Sequence, residues 1–211
     1  MEKYTTLINI LYALQILRAA PHIFLLNTST ARPIIEKDIE KWIEEHQFTE
    51  YVNRPKWRAL VWLLWRFPEF RNLFYYRIAK EAHLMARIIL EIAKLFYKRM
   101  DTLYIYSESI GEGLFIQHGF SSIIGAEVIG KNCWINQEVT LGYVGESGLP
   151  ILEDNVHITA GAKVLGGVTI GENSIVGANA VVVKNVPPNC TVVGIPAYII
   201  RRDGKKVNEP L

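Results

Sequence analysis

Apolar residues keep two different rhythms along this chain, and the rhythm changes near residue 101. From about residue 4 to residue 99 the spacing is helical. The stretch "PIIEKDIEKWIEE" sets Ile35, Ile39, Trp42 and Ile43 on one stripe behind Pro33, whose missing N–H matters least in a first helical turn. "PKWRALVWLLWRF" repeats that design with Pro55 at its head. The longer "PEFRNLFYYRIAKEAHLMARIILEIAKLFYKR" starts at Pro68 and is predicted to carry Phe70, Phe74, Ile78, Met85, Ile88, Ile92 and Phe96 inward.

After Asp101 the period becomes six. Ile129, Ile135 and Leu141 form one run; Leu152, Ile158, Val164, Ile170, Val176 and Val182 form a longer one. Small or β-branched residues recur four positions on, at Cys133, Val139, Val156, Ala162, Ser174 and Ala180. Neither a helix nor an alternating strand has this period. It predicts a parallel β-helix, in which each flat side contributes one aliphatic residue to a continuous core and small residues occupy the tight corners.

The beat fails in one place. Ile110 and Ile116 are six apart, but Ile116 and Ile124 are eight apart, and Ile124 and Ile129 only five. His118 lies inside that break, in "FIQHGFSSIIG". A repeat loses period where a side chain must point somewhere unusual. Histidine is the side chain whose ordinary pKa suits a general base at neutral pH, although a satisfied corner imidazole would leave the same trace in the sequence. His157 precedes the inward Ile158 and is expected to point outward as a surface residue, while His22, His46 and His83 are read as structural.

Composition narrows the class. With 211 residues, half of them hydrophobic and 21% charged, the chain can bury one or two substantial cores. The net charge of +2 conceals an asymmetry: residues 1–100 carry 16 Lys/Arg against 10 Asp/Glu, and residues 101–211 carry 7 against 11. The two cysteines, Cys133 and Cys190, show no metal-binding or disulfide spacing, so a reducing, cytoplasmic setting is expected. Arg18, Pro21 and His22 interrupt the apolar start, which reads as neither a leader peptide nor a membrane span. Aromatics interleaved with arginines in "WRALVWLLWRFPEFRNLFYYR" would suit peripheral membrane contact, but stripes at helical spacing favour burial.

On these motifs the chain resembles the left-handed β-helix acyltransferases of the hexapeptide-repeat family, and within them the serine acetyltransferase group. "FPEFRNLFYYRIAK" is similar to that group's helical lead-in, "QHGFSSIIG" to its active-site strand, "INQEVTLG" to its central coil and "VPPNCTVVGIPAYII" to its closing coil. The fold implied is α+β: an α-helical domain over 1–101, a left-handed parallel β-helix over 102–200 and a basic C-terminal tail over 201–211. The resemblance implies acetyl-CoA as donor and His118 as the base. It also implies a homotrimer with sites between neighbouring β-helices, extending to a dimer of trimers where the helical domains join. Neither metal nor nucleic acid is expected.

For the donor, Ala160 and Ala178 match a small-residue column that contacts the cofactor in the family, and Lys184 a basic position near the nucleotide end. The acceptor side departs from the group's pattern. Leu149-Pro150 stands where an Arg-His-Pro loop end is found, and Gln117 replaces the aspartate before the catalytic histidine. Losing those charges argues against an amino-acid acceptor and for a sugar or polysaccharide hydroxyl, for which Gln117, Asn136 and Tyr143 are of a suitable type. Serine O-acetylation with a remodelled site is the alternative. A non-catalytic trimer and a three-histidine metalloenzyme are further readings; the repeat region holds only His118 and His157.

Overall fold

The computed structural model describes the backbone of residues 2–211 and the side chains from residue 13 onward. Two compact units divide at Met100 and Asp101. In the first, five helices follow in order: α1 (Glu2–Thr28), α2 (Arg32–Glu45), α3 (Lys56–Arg66), α4 (Pro68–Glu81) and α5 (Leu84–Phe96). Ile35, Ile39, Trp42 and Ile43 of α2 are all buried, as the stripe requires. Trp42 meets the rings of Phe67 and Phe70 edge-on at 5.8 and 5.1 Å. Pro55 caps α3 from just outside it, and Pro68 opens α4. Inside this core Arg77 Nε donates to Asp38 Oδ2 at 2.9 Å and Arg77 Nη2 to Asp38 Oδ1 at 3.2 Å, a buried two-pronged ion pair.

The single long helix expected from Pro68 is in fact two. The chain turns extended at Ala82 and His83, and His83 caps α5 by accepting the Ala86 N–H on its side chain. The break resets the helical phase, so the stripe of Phe70, Phe74 and Ile78 does not continue inward. Met85, Ile88, Ile92 and Phe96 are 59%, 47%, 46% and 42% exposed, and the buried residues of α5 are Leu90 and Ala93. Among the described residues no helix is long and apolar enough to cross a membrane.

The second unit winds through three short strands per coil. These are β1 (Leu103–Ile105), β2 (Ser109–Ile110) and β3 (Phe115–Ile116); β4 (Ser122–Ile124), β5 (Val128–Ile129) and β6 (Trp134–Ile135); β7 (Thr140–Gly142), β8 (Ile151–Leu152) and β9 (His157–Ile158); β10 (Lys163–Leu165), β11 (Thr169–Ile170) and β12 (Ile175–Val176); then β13 (Val181–Val182) and β14 (Cys190–Val193). Strands of the same rank stack in parallel into three sheets, β1-β4-β7-β10-β13, β2-β5-β8-β11 and β3-β6-β9-β12-β14. This is the predicted parallel β-helix. Every residue of the two aliphatic runs is at most 1% exposed, and the small residues named with them are fully buried.

Register is set by these columns. Ile158 pairs with Val176 and Val164 with Val182, each one regular coil of 18 residues, whereas Ile116 pairs with Ile135 and Ile135 with Ile158 across longer coils. Left-handed backbone recurs three residues before the inward aliphatic at Asn132, Asn155, Asn173 and Asn189. Asparagine tolerates that conformation, and here its side chains add a ladder, Asn155 donating to Asn173 and Asn173 to Asn189, each at 3.1 Å.

Residues 201–211 are not the tail expected from their charge. β15 (Tyr198–Arg202) runs antiparallel to β14, and β16 (Lys205–Pro210) antiparallel to β15, so the segment is a hairpin that extends the third sheet. Alternation of apolar and polar residues is weak there. Pairing to the exposed edge of β14 and the Arg202–Glu209 ion pair at 2.6 Å stabilise it instead.

Candidate active site

The corner between β3 and β4 explains the lost period. At the equivalent corners of later coils one residue takes left-handed backbone: Glu138, Gly161 and Asn179, each three before an inward aliphatic. Ser121, three before Ile124, is their counterpart. Ahead of it the chain inserts a second left-handed pair, His118 at φ 66° and Gly119 at φ 59°. A histidine at positive φ is uncommon and locally costly. The insertion pushes the corner outward, leaving the His118 side chain exposed and its imidazole with no hydrogen-bond partner among the described residues. Its carbonyl accepts the Phe120 N–H at 2.8 Å, and the Phe120 carbonyl accepts the Glu138 N–H at 2.9 Å, which ties the bulge to the next coil.

Ala160 and Ala178 continue the same edge. Gly161 N–H donates to the Gln137 carbonyl at 3.0 Å and Asn179 N–H to the Ala160 carbonyl at 2.9 Å, so Gln137, Ala160 and Ala178 form one column below the bulge. Ala160 is half-buried and Ala178 exposed. A narrow chain with amides could lie along such an edge, where side chains are short and backbone groups accessible.

Lys184 does not join this column. It follows β13, at the other end of that strand from Ala178, and its Nζ donates to the Leu211 carbonyl at 2.6 Å, beside a small cavity of about 190 Å³ lined in part by the hairpin. Tyr143 also lies at the far end of its strand from the corner residue Glu138. It follows β7, fully in solvent, at the start of the excursion that lengthens this coil. A cleft of about 650 Å³ lined by Ile43, Phe48, Val52 and Lys56 belongs wholly to the helical unit.

Gln117 and Asn136 are brought together, and with them a residue read from the sequence as ordinary surface. Asn136 Nδ2 donates to Gln117 Oε1 at 2.8 Å, and His157 Nε2 donates to Asn136 Oδ1 at 2.9 Å. His157 is half-buried rather than free in solvent, stacked on Trp134 with ring centroids 4.9 Å apart and planes 28° apart. Trp134 in turn meets Phe115 edge-on at 4.9 Å. Phe115, Trp134 and His157 each precede an inward isoleucine, and Gln117 and Asn136 each follow one, but these positions become columns only through the register of Ile116, Ile135 and Ile158. Buried Cys133 is no nucleophile, since desolvation pushes its thiol up to about 12.

Comparison with known proteins places these features in context. The family described as bacterial transferase hexapeptide (six repeats) matches residues 150–184. The chain is 34% identical over 181 residues to a serine acetyltransferase of Bacillus pumilus, covering 81% of this chain and 82% of that protein. It is 50% identical over 103 residues to a serine acetyltransferase of Synechococcus elongatus, and there the match spans 47% of this chain and less than half of the relative, 42%. Among solved structures, the Neisseria gonorrhoeae serine acetyltransferase in complex with serine superimposes with a TM-score of 0.61 at 27% identity, over 84% of this chain and 73% of that one.

Proposed function

Since this chain belongs to the serine acetyltransferase family of hexapeptide-repeat acyltransferases, we propose that it is an acetyl-CoA-dependent O-acetyltransferase with His118 as general base. The observation that carries the reading is the left-handed bulge that presents an exposed His118 on the edge that Gln137, Ala160 and Ala178 continue through the following coils. The column takes the pantetheine arm and leaves the thioester next to the imidazole. His118 removes the proton as the acceptor oxygen attacks the thioester carbonyl. The tetrahedral intermediate then collapses, the C–S bond breaks, and the imidazolium returns its proton to the leaving thiolate. Such a base contributes typically two to four orders of magnitude. A homotrimer, with each edge facing a neighbouring copy, is the assembly that would close the site.

Serine is the first acceptor to consider, because the relatives bear that name over most of the chain's length. A glycan hydroxyl is the second, favoured by one local feature: Gln117 and Leu149 are neutral beside the base and in the central loop, offering neither an anion for an ammonium nor a cation for a carboxylate. Thiol release from acetyl-CoA with L-serine and with a panel of free and nucleotide-linked sugars decides between them. Turnover with neither class contradicts the reading.

A further inference from the structure

The segment whose aromatics and arginines suit a membrane contact is largely folded away: Leu60, Leu63 and Leu64 of α3 and Phe70, Leu73 and Phe74 of α4 are buried. The exposed apolar surface lies on α5 instead. Ala86, Leu90, Ala93 and Tyr97, spaced four, three and four residues apart, turn toward the unit, and the last three are buried. Leu84, Ile88, Ile92 and Leu95, spaced four, four and three apart, form a second stripe, which at about 100° per residue falls on the opposite side of the helix. Leu84 and Leu95 are 73% and 78% exposed. The end of α5 is held against α1, since Arg18 Nε donates to the Phe96 carbonyl at 2.7 Å and the Tyr97 hydroxyl to Gln15 Oε1 at 2.6 Å. Leu14 and Leu17, the exposed sequence neighbours of Gln15 and Arg18, extend the apolar surface onto α1. These side chains add nothing to the core, and exposed apolar surface of this extent marks an interaction site.

The charges around the stripe say what covers it. Residues 84–99 hold four cations, Arg87, Lys94, Lys98 and Arg99, against one acid, Glu91, which is paired with Lys94 at 2.6 Å. Arg87 and Lys94, seven apart, run along one flank of the stripe; Lys98 and Arg99 follow its end, which Arg18 also reaches. We propose that this face of α5 and α1 docks onto an anionic phospholipid surface. The leucines and isoleucines enter the boundary of the acyl chains, and the long basic side chains beside them extend to the headgroup phosphates. A second copy of the chain fits less well, because it would bring the same excess of positive charge to the other side of the contact. With 13 residues, α5 is too short to span a bilayer and would lie in its surface. The inference goes beyond acetyl transfer and does not depend on it.

Flotation of the full chain with vesicles tests the proposal. Vesicles of phosphatidylcholine and phosphatidylglycerol in equal parts should carry the protein up the gradient. Phosphatidylcholine alone should bind it about tenfold or more weakly, and raising the salt about tenfold should release most of it from the anionic vesicles. Ile88→Gln combined with Leu95→Gln, both at exposed positions, should lower the partition into anionic vesicles about tenfold or more with little change in melting temperature. Lys98→Glu should weaken binding at low salt and narrow the difference between the two salt conditions. No flotation with anionic vesicles, equal binding to both lipid compositions, or equal binding by the wild type and the double variant would each overturn the proposal. Self-association that the double variant abolishes, in a protein that ignores the vesicles, would assign the face to a second copy and overturn it as well. Flotation needs neither acetyl-CoA nor an acceptor, so its failure is distinct from a failure of the proposed function.

Discussion

Ala178 sits one coil beyond Ala160 on the same edge, with the Asn179 N–H donating to the Ala160 carbonyl at 2.9 Å. Since Ala178 is exposed, a large side chain there can be accommodated by the fold but would lie across the path assigned to the pantetheine arm. Ala178→Trp should raise the KM for acetyl-CoA at least tenfold with little change in thermal stability. Initial rates across an acetyl-CoA series, beside a melting curve without ligand, check it. An unchanged KM places the cofactor elsewhere.

The buried pair of Asp38 and Arg77 makes the helical unit sensitive to the loss of either partner. Asp38→Ala removes the carboxylate that faces the buried guanidinium and should cost about 3–5 kcal/mol, the range for breaking a buried pair from one side. Four of the five tryptophans, Trp42, Trp57, Trp62 and Trp65, lie in this unit, so their fluorescence during urea unfolding reports the change. Asp38→Asn with Arg77→Met removes both charges and should recover part of the loss.

His22 ties stability of the same unit to pH. Burial, helped by the nearby charges of Arg71 and Arg18, lowers its pKa to about 3. Its Nε2 donates to the Tyr75 hydroxyl oxygen at 3.0 Å, and its Nδ1 is buried with no partner among the described residues. The unfolded chain takes up a proton near pH 6.5 that the folded chain refuses, so stability is full above that pH and declines as pH falls. The slope should approach about 1.4 kcal/mol per pH unit below pH 6. His22→Phe should flatten it in urea titrations followed by tryptophan fluorescence between pH 7 and pH 5.

Two glycines separate close coil stacking from mere permissiveness. A Cβ at Gly130 would lie 2.6 Å from the Glu153 carbonyl carbon, whereas a Cβ at Gly142 would meet nothing within 4 Å. Gly130→Ala should destabilise the β-helix by about 1–3 kcal/mol, the usual cost of overpacking, and Gly142→Ala should be nearly neutral. Equal melting shifts for the two variants would contradict this spacing of the coils.

Much of this architecture was legible because a β-helix writes its core at a fixed period. Ile158, Val164, Ile170 and Val176 could be placed inward from spacing alone, and the eight-residue gap between Ile116 and Ile124 pointed to the bulge that bears His118. Three features were not legible. No glycine or proline announces the break between α4 and α5; it lies in the extended backbone of Ala82 and His83 and the cap made by His83. The charge of residues 201–211 suggested a solvated tail, because edge pairing is a backbone interaction that side-chain composition does not encode. The ladder of Gln117, Asn136 and His157 spans coils of unequal length, so its columns emerge only once Ile116, Ile135 and Ile158 are known to be in register.

The most direct test of the central claim is acetyl-CoA thiol release by His118→Ala beside the wild type, with an acceptor that the wild type uses. The bulge is exposed and its imidazole makes no described hydrogen bond, so melting temperature and oligomeric state should be unchanged. In this variant kcat should be lower by about two to four orders of magnitude, with the KM for acetyl-CoA within a few-fold of wild type. An unchanged kcat in a folded variant would show that the proton leaves by another route and that the bulge at His118 is not a catalytic device.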